Sequence, residues 1–171
     1  TAGSYAYGGG LFLSSGYASN LVVVGNTAQA GHFGYGYGGG IYVASGTAMN
    51  CRVEGNTVRG SMTGYGYHAY GGGLFVAGGQ VLNILAGSNR VERRPDQTGT
   101  NWNVTYGLGG GIYLSAGTLV NATVVDNLAV SNNPSGTAGG GLYQTGGTAA
   151  NCIVYYNLSN AAAPGPDNYL G

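Results

Sequence analysis

Residues 38–58 read GGGIYVASGTAMNCRVEGNTV. Three glycines open the stretch, an apolar–aromatic–apolar triplet follows, Gly46 breaks the run, and asparagine stands at 50 and 56. Four other stretches align with it without a gap: 8–28, 71–91, 109–129 and 139–159. The ninth position is always glycine (Gly16, Gly46, Gly79, Gly117, Gly147). The thirteenth is always asparagine (Asn20, Asn50, Asn83, Asn121, Asn151), and so is the nineteenth (Asn26, Asn56, Asn89, Asn127, Asn157). Five copies in one register, joined by segments of unequal length at 29–37, 59–70, 92–108 and 130–138, are the signature of a solenoid.

The apolar period inside each block is two, which selects strands over helices. Leu11, Ile41, Leu74, Ile112 and Leu142 form one column, and two residues on stand Leu13, Val43, Val76, Leu114 and Gln144. A second strand repeats the pattern with Leu21, Cys51, Ile84, Ala122 and Cys152, then Val23, Val53, Ala86, Val124 and Val154. Alternation puts these columns on one inward face. Strands this short hold only if stacked on their copies ~4.8 Å away, which completes their backbone hydrogen bonds. The expected fold is therefore an all-β, right-handed parallel β-helix of about five coils. A single domain is expected over 1–171, with glycine- and tyrosine-rich loops on one side. The invariant glycine suits a corner with positive φ. Asparagine tolerates left-handed bends, and stacked asparagines can bond amide to amide along the axis.

Composition narrows the function classes. Glycine supplies 37 of 171 residues, yet without the strict third-residue period of collagen. Five arginines balance five acidic residues and there is no lysine, so no electrostatic footprint for nucleic acid exists. No apolar run reaches the ~18 residues of a spanning helix, so membrane insertion is not expected. The start of the chain carries no signal-peptide pattern. Cys51 and Cys152 share an inward column three blocks apart, beyond disulfide reach, and read as buried free thiols.

The GGGIY…N…N pattern resembles the right-handed parallel β-helix repeats of secreted and surface bacterial proteins, including polymorphic outer-membrane and autotransporter-passenger-like proteins. The resemblance covers essentially the whole chain and implies an extracellular or cell-surface location. Polymorphic membrane proteins carry GGA[IL] and FxxN, whereas this chain has GGG and no phenylalanine before its first asparagine column.

Candidate contact residues fall in two groups. Phe12, Tyr42, Phe75, Tyr113 and Tyr143 hold the fifth position of every block, and alternation turns them outward. Such a ladder either stacks on itself and stabilises the sheet or offers a stripe for lateral packing or sugar stacking. The connecting segments hold Tyr5, Tyr7, Tyr35, Tyr37, Tyr65, Tyr67, Tyr70 and Tyr106, expected as adaptable loop contacts or as cover for the solenoid. Trp102 joins them in the longest loop, behind the charged run Arg90, Glu92, Arg93, Arg94, Asp96, which reads as a salt-bridged loop or a sugar site.

Chemistry finds little footing. Residues 34–39 fit GxGxxG, but no strand–turn–helix context surrounds them. Calcium nonapeptides need one aspartate per repeat, and the three here are unrelated in position. Glu54 and Asp126 lie blocks apart, and His32 and His68 have no aligned acid or serine. No catalytic, metal or cofactor residues are assigned, and an enzyme is not expected. Asn103 begins a loop glycosylation sequon. Residues 1–7 and 160–171 read as the tail and the start of connecting loops. The expected role is an extracellular structural solenoid that joins head to tail into a fibre or surface assembly, its partner being a second copy. The alternative is an adhesin-like module that binds glycans, and a polysaccharide-active enzyme comes after both.

Overall fold

Five repeat blocks in phase produce five rungs of parallel strands, wound through about four turns of a β-solenoid in the computed structural model. Residues 4–31, 34–60, 68–92, 106–131, 134–160 and 167–171 are described. Tyr65, Tyr67, Trp102, His32, Arg93, Arg94, Asp96 and Asn103 lie outside them. Among the described residues the only helical element is a single 3-10 turn, Pro134–Gly136.

Four parallel sheets form the walls, where two strands per block were expected. The first sheet stacks Ala6–Tyr7, Gly36–Tyr37, His68–Tyr70, Tyr106–Leu108 and Thr137–Ala138. The second stacks Leu11–Leu13, Ile41–Val43, Leu74–Val76, Ile112–Leu114 and Leu142–Gln144. The third is the longest and runs over the eight-residue strands Thr47–Glu54, Gln80–Gly87 and Thr118–Val125. Its end rungs are split in two, as Tyr17–Ser19 with Val22–Val24 and as Thr148–Ala150 with Ile153–Tyr155. The fourth stacks Thr27–Gln29, Thr57–Arg59, Arg90–Glu92, Leu128–Ala129 and Leu158–Ser159. Equivalent residues pair directly: Leu11 with Ile41, Ile41 with Leu74, Leu74 with Ile112, Ile112 with Leu142.

The first sheet corrects the expectation that everything between blocks is loop. The segment just ahead of each glycine triplet is a strand, so the variable loops are shorter than the sequence spacing suggests. Residues 160–171 are corrected in the same way. Tyr169–Leu170 pairs with Leu142 and Tyr143 and adds a sixth strand to the second sheet, so this segment already enters the next rung.

The interior is divided into two lobes. The larger, between the second and third sheets, holds Ile41, Leu74, Ile112, Val53, Ala86 and Val124, all essentially without exposure. The smaller, between the first and fourth sheets, holds Ala28, Val58, Ala69, Val91 and Ala129. The glycine triplet and the second asparagine column form the septum between them. A Cβ on Gly73 would sit 2.7 Å from Asn89 Nδ2 and 2.8 Å from the Gly111 carbonyl oxygen. On Gly72 it would sit 2.6 Å from the Arg90 carbonyl carbon. Two walls of the coil touch backbone to backbone here, and only glycine permits that approach.

Corners are made by left-handed residues. The invariant glycines at 16, 46, 79, 117 and 147 have φ between 72 and 82°, and Asn20, Asn50, Asn83, Asn121 and Asn151 have φ between 52 and 56°. A third such corner precedes the second asparagine column, at Gly25, Gly55, Ser88, Asp126 and Tyr156. Cys51 is buried, whereas Cys152, whose column no described residue continues, is only half-buried; both are free thiols.

Candidate functional site

Two stacked systems run the length of the solenoid. The outer one is aromatic and starts from the alternation of the second sheet. With Leu11 and Leu13 inward, Phe12 points out, and its equivalents stack face to face on it. Ring centroids are 5.2 Å apart for Phe12–Tyr42, 5.3 Å for Tyr42–Phe75, 4.9 Å for Phe75–Tyr113 and 5.3 Å for Tyr113–Tyr143. The first sheet supplies a second column in the same way. Ala6 and Ala69 face the small lobe, so Tyr7, Tyr37 and Tyr70 point out, at 5.2 and 5.3 Å. Two residues upstream a third column forms from Tyr5, Tyr35, His68 and Tyr106.

The first two columns meet edge to face. Tyr7 lies 5.0 Å from Tyr42 at 77°, Tyr37 lies 4.9 Å from Phe75 at 79°, and Tyr70 lies 5.0 Å from Tyr113 at 64°. Outward rings of adjacent sheets converge only if the corner between those sheets is re-entrant. The septum makes it so: the glycine triplet draws the wall inward, and the rings fill the external cleft. Burial follows position. Phe75, at the middle rung, is only 7% exposed, whereas Phe12 on the first rung is 51% exposed.

Burial also moves the titrations. It pushes the Tyr37 hydroxyl from 10.0 up to about 12, and repulsion from Tyr7, Tyr5, Tyr35 and Tyr42 adds to the effect. Tyr70, Tyr42 and Tyr143 shift the same way, first through burial and then through neighbouring tyrosines. Burial lowers the pKa of His68, sandwiched between Tyr35 and Tyr106. The neutral ring also accepts a hydrogen bond at Nδ1 from the Tyr106 backbone N–H, 3.2 Å away.

The inner system is the buried asparagine ladder. Asn56 donates both its backbone N–H and its Nδ2 to Asn89 Oδ1, each at 3.0 Å, and Nδ2 also reaches the Val23 carbonyl at 2.9 Å. Asn89 does the same to Asn127 and to Val53, and Asn127 to Asn157 and to Ala86. The bottom member, Asn26, donates to Asn56 in the same way. At the top, Asn157 donates to Oδ1 of Asn168, at 3.1 Å from its N–H and 3.3 Å from Nδ2. Asn168 was not recognised in the sequence. It occupies the third-glycine position of its rung and reaches the ladder across the septum, so no repeat spacing marks it.

The other asparagine column stays at an exposed corner. Asn83 donates to Asn50 and Asn121 to Asn83, at 2.9 and 3.0 Å, opposite in sense to the buried ladder. Among the described residues no bond of this kind joins Asn20 or Asn151 to it. Among the described charged residues five pair with each other: Glu92 receives Arg59 Nε at 2.7 Å and Arg90 Nε at 2.8 Å, and Arg52 meets Glu54 at 2.8 Å.

No family model matches the chain, and neither a curated protein nor a solved structure matches it. What can be said of the chain therefore rests on its own geometry: it is a parallel β-solenoid of stacked coils.

Tyr35, Tyr37, Tyr70 and Tyr106 were expected in loops. Tyr37, Tyr70 and Tyr106 instead belong to strands, and Tyr35 directly precedes one. A signal for this was present in YAY at 5–7, YGY at 35–37 and HAY at 68–70, which alternate large and small side chains with a period of two. Among the described residues no three His, Cys, Asp or Glu side chains are grouped to hold a metal ion. No helix of the described residues is long and apolar enough to cross a membrane.

Proposed function

We propose that this chain is a structural β-solenoid that joins head to tail with a second copy into a fibre or surface assembly, through the edge of its first rung. The carrying observation is that edge itself. Leu11 donates to Gly40 and Leu13 accepts from Ala44; Leu21 accepts from Arg52 and Gly25 donates to Glu54. The residues between them, Phe12, Val22 and Val24, therefore turn their backbone groups away from the second rung. The same three side chains are 51–63% exposed. Among the described residues no strand pairs with this edge, and a parallel edge lined with apolar side chains is a template for another strand.

The aromatic columns support a structural role over sugar binding. A pyranose stacks on a free ring face, and here each inner ring gives both faces to its neighbours. The proposed setting, outside the cell or at its surface, comes from the resemblance of the repeat to secreted and surface β-helix proteins. Polymorphic outer-membrane and autotransporter-passenger-like proteins remain the proposed kin.

Sedimentation velocity and negative-stain microscopy over a range of protein concentrations test the reading. The native chain should form rods that lengthen with concentration, and Val22→Pro with Val24→Pro should stay single, with an unchanged far-UV circular dichroism spectrum. Single particles at every concentration and salt would remove it.

A further inference from the structure

The aromatic cleft keeps a tyrosine on every rung. On the first and third rungs the second sheet supplies Phe12 and Phe75, and the first sheet places Tyr7 and Tyr70 beside them. The second rung has a tyrosine in both sheets, Tyr37 and Tyr42. On the fourth and fifth rungs the first sheet has Leu108 and Ala138 at that position, and the second sheet supplies Tyr113 and Tyr143. One unbroken run results, Tyr7–Tyr37–Tyr70–Tyr113–Tyr143, with ring centroids 5.2, 5.3, 5.0 and 5.3 Å apart. It crosses from the first sheet to the second between Tyr70 and Tyr113.

Stacking alone does not call for the hydroxyls. Phe12 and Phe75 pack in the same cleft, 5.2 and 4.9 Å from Tyr42 and Tyr113. Burial strips part of the water from the hydroxyls of Tyr37 and Tyr70, and phenylalanine would stack there without that cost. What a phenol adds to a benzene ring is ready one-electron oxidation. Tyr37 and Tyr70 are direct register partners, stacked at 24°, and Tyr113 meets Tyr70 edge to face at 64°. All three are partly exposed. Met49 and Cys51, which also oxidise readily, stand on the third sheet and not in this cleft.

We propose that Tyr37, Tyr70 and Tyr113 form an oxidative cross-linking site, at which a haem peroxidase with hydrogen peroxide joins neighbouring rungs through dityrosine bonds. Each phenol gives one electron to the oxidant and its hydroxyl proton to water, leaving a phenoxyl radical. Two radicals on touching rings form one carbon–carbon bond between their ortho carbons. The hydrogen on each of those carbons then moves to oxygen, which restores both rings and both hydroxyls. The two electrons and two protons released convert one hydrogen peroxide into two waters. Tyr70 has an ortho carbon for each neighbour, so it can hold Tyr37 and Tyr113 at once. Such bonds staple the second, third and fourth rungs along the axis. The site lies on inner rungs and needs no second copy of the chain.

The test treats dilute protein with a haem peroxidase and hydrogen peroxide, then unfolds it and digests it with trypsin. Cleavage after Arg52, Arg59, Arg90 and Arg93 leaves Tyr37, Tyr70 and Tyr113 on separate peptides, 1–52, 60–90 and 94–171. Mass spectrometry should find 60–90 joined to 1–52 and to 94–171, each link lighter than its parts by two hydrogens. Tyr113→Phe should remove the second link and keep the first. Tyr70→Phe should lower both at least about tenfold, because ring contact supplies the effective concentration for coupling. Phenylalanine already packs in this cleft, so both variants should keep the native circular dichroism spectrum. The oxidised native chain should also unfold at higher urea than oxidised Tyr70→Phe. Links on 60–90 that survive Tyr70→Phe run through Tyr65 or Tyr67 and overturn the assignment. Dityrosine formed mainly at Tyr17, which is 83% exposed on the third sheet, overturns it as well, since exposure and not contact would then choose the partners. A native chain that forms no dityrosine, or gains no resistance to urea from it, removes the staple.

Discussion

Asn89 and Asn83 stand six residues apart on the same rung, and their side chains meet opposite conditions. Asn89 is 1% exposed and satisfies four groups besides its own: the N–H and Nδ2 of Asn56 below, the Val53 carbonyl, and Asn127 Oδ1 above. Asn89→Ala leaves the buried Asn56 N–H without its acceptor and takes one bond each from Asn56 Nδ2, the Val53 carbonyl and Asn127 Oδ1, at a cost of about 2–3 kcal/mol. Asn83 is exposed and has φ of 54°. Asn83→Ala loses left-handed tolerance and exposed amide bonds, about 1 kcal/mol in all, and Asn83→Gly should be close to neutral. Urea unfolding of the three variants gives the order directly; equal losses for Asn89→Ala and Asn83→Ala would contradict the ladder assignment. The sequence marks both columns as invariant and cannot rank them. The ranking follows from the septum, where Gly73 backs against Asn89, and that contact joins residues of different walls.

At the scale of a single element, the first sheet shows why part of this fold was hidden. Its strands are only two or three residues long, and their inward positions are Ala6, Gly36, Ala69, Gly107 and Thr137. The small lobe is too narrow for more: a Cβ on Gly36 would come 2.7 Å from Val58 Cγ2. An inward face of alanine and glycine gives no apolar alternation to read, whereas the second and third sheets, lined by leucine, isoleucine and valine, are plain in the sequence. The outward face of the first sheet carries the consequence for pH. Tyr37 titrates at about 12 in the folded chain against 10.0 unperturbed, and Tyr70 is raised as well. The folded state therefore holds these protons more tightly than the unfolded state. The stability linked to them is fully present below pH 10 and is lost as pH rises from about 10 through about 12. Tyrosinate absorbance should lag behind that of free tyrosine in this window, and unfolding midpoints should fall across it. Tyr37→Phe should flatten the fall, and an equally steep fall in that variant would place the cause elsewhere.

The whole molecule is a stack in which each rung touches only the rungs above and below, so its stability is close to a sum over rungs and rung-to-rung interfaces. That description can be tested by removing a rung. Deleting residues 71–108 joins Tyr70 to Gly109, the same junction that Tyr70 makes with Gly71. Ile112 then lies over Ile41, Tyr113 over Tyr42, and the ladder continues from Asn56 to Asn127, because each of these pairs already shares a partner on the missing rung. Two specific contacts go: Glu92, whose departure leaves the half-buried Arg59 without its ion pair, and Tyr106, whose backbone N–H bonds His68 at an exposed position. The shortened chain should keep a β-sheet circular dichroism spectrum and a single cooperative transition, with a denaturant slope smaller by roughly a fifth, in line with the surface removed. Deleting residues 75–111 instead removes one residue fewer and joins Leu74 to Ile112, which turns Tyr113 inward and Leu114 outward. A one-residue slip sends a whole rung's side chains to the wrong faces. That variant should lose cooperative unfolding. If the two deletions behaved alike, in-phase stacking would not be what holds the rungs together.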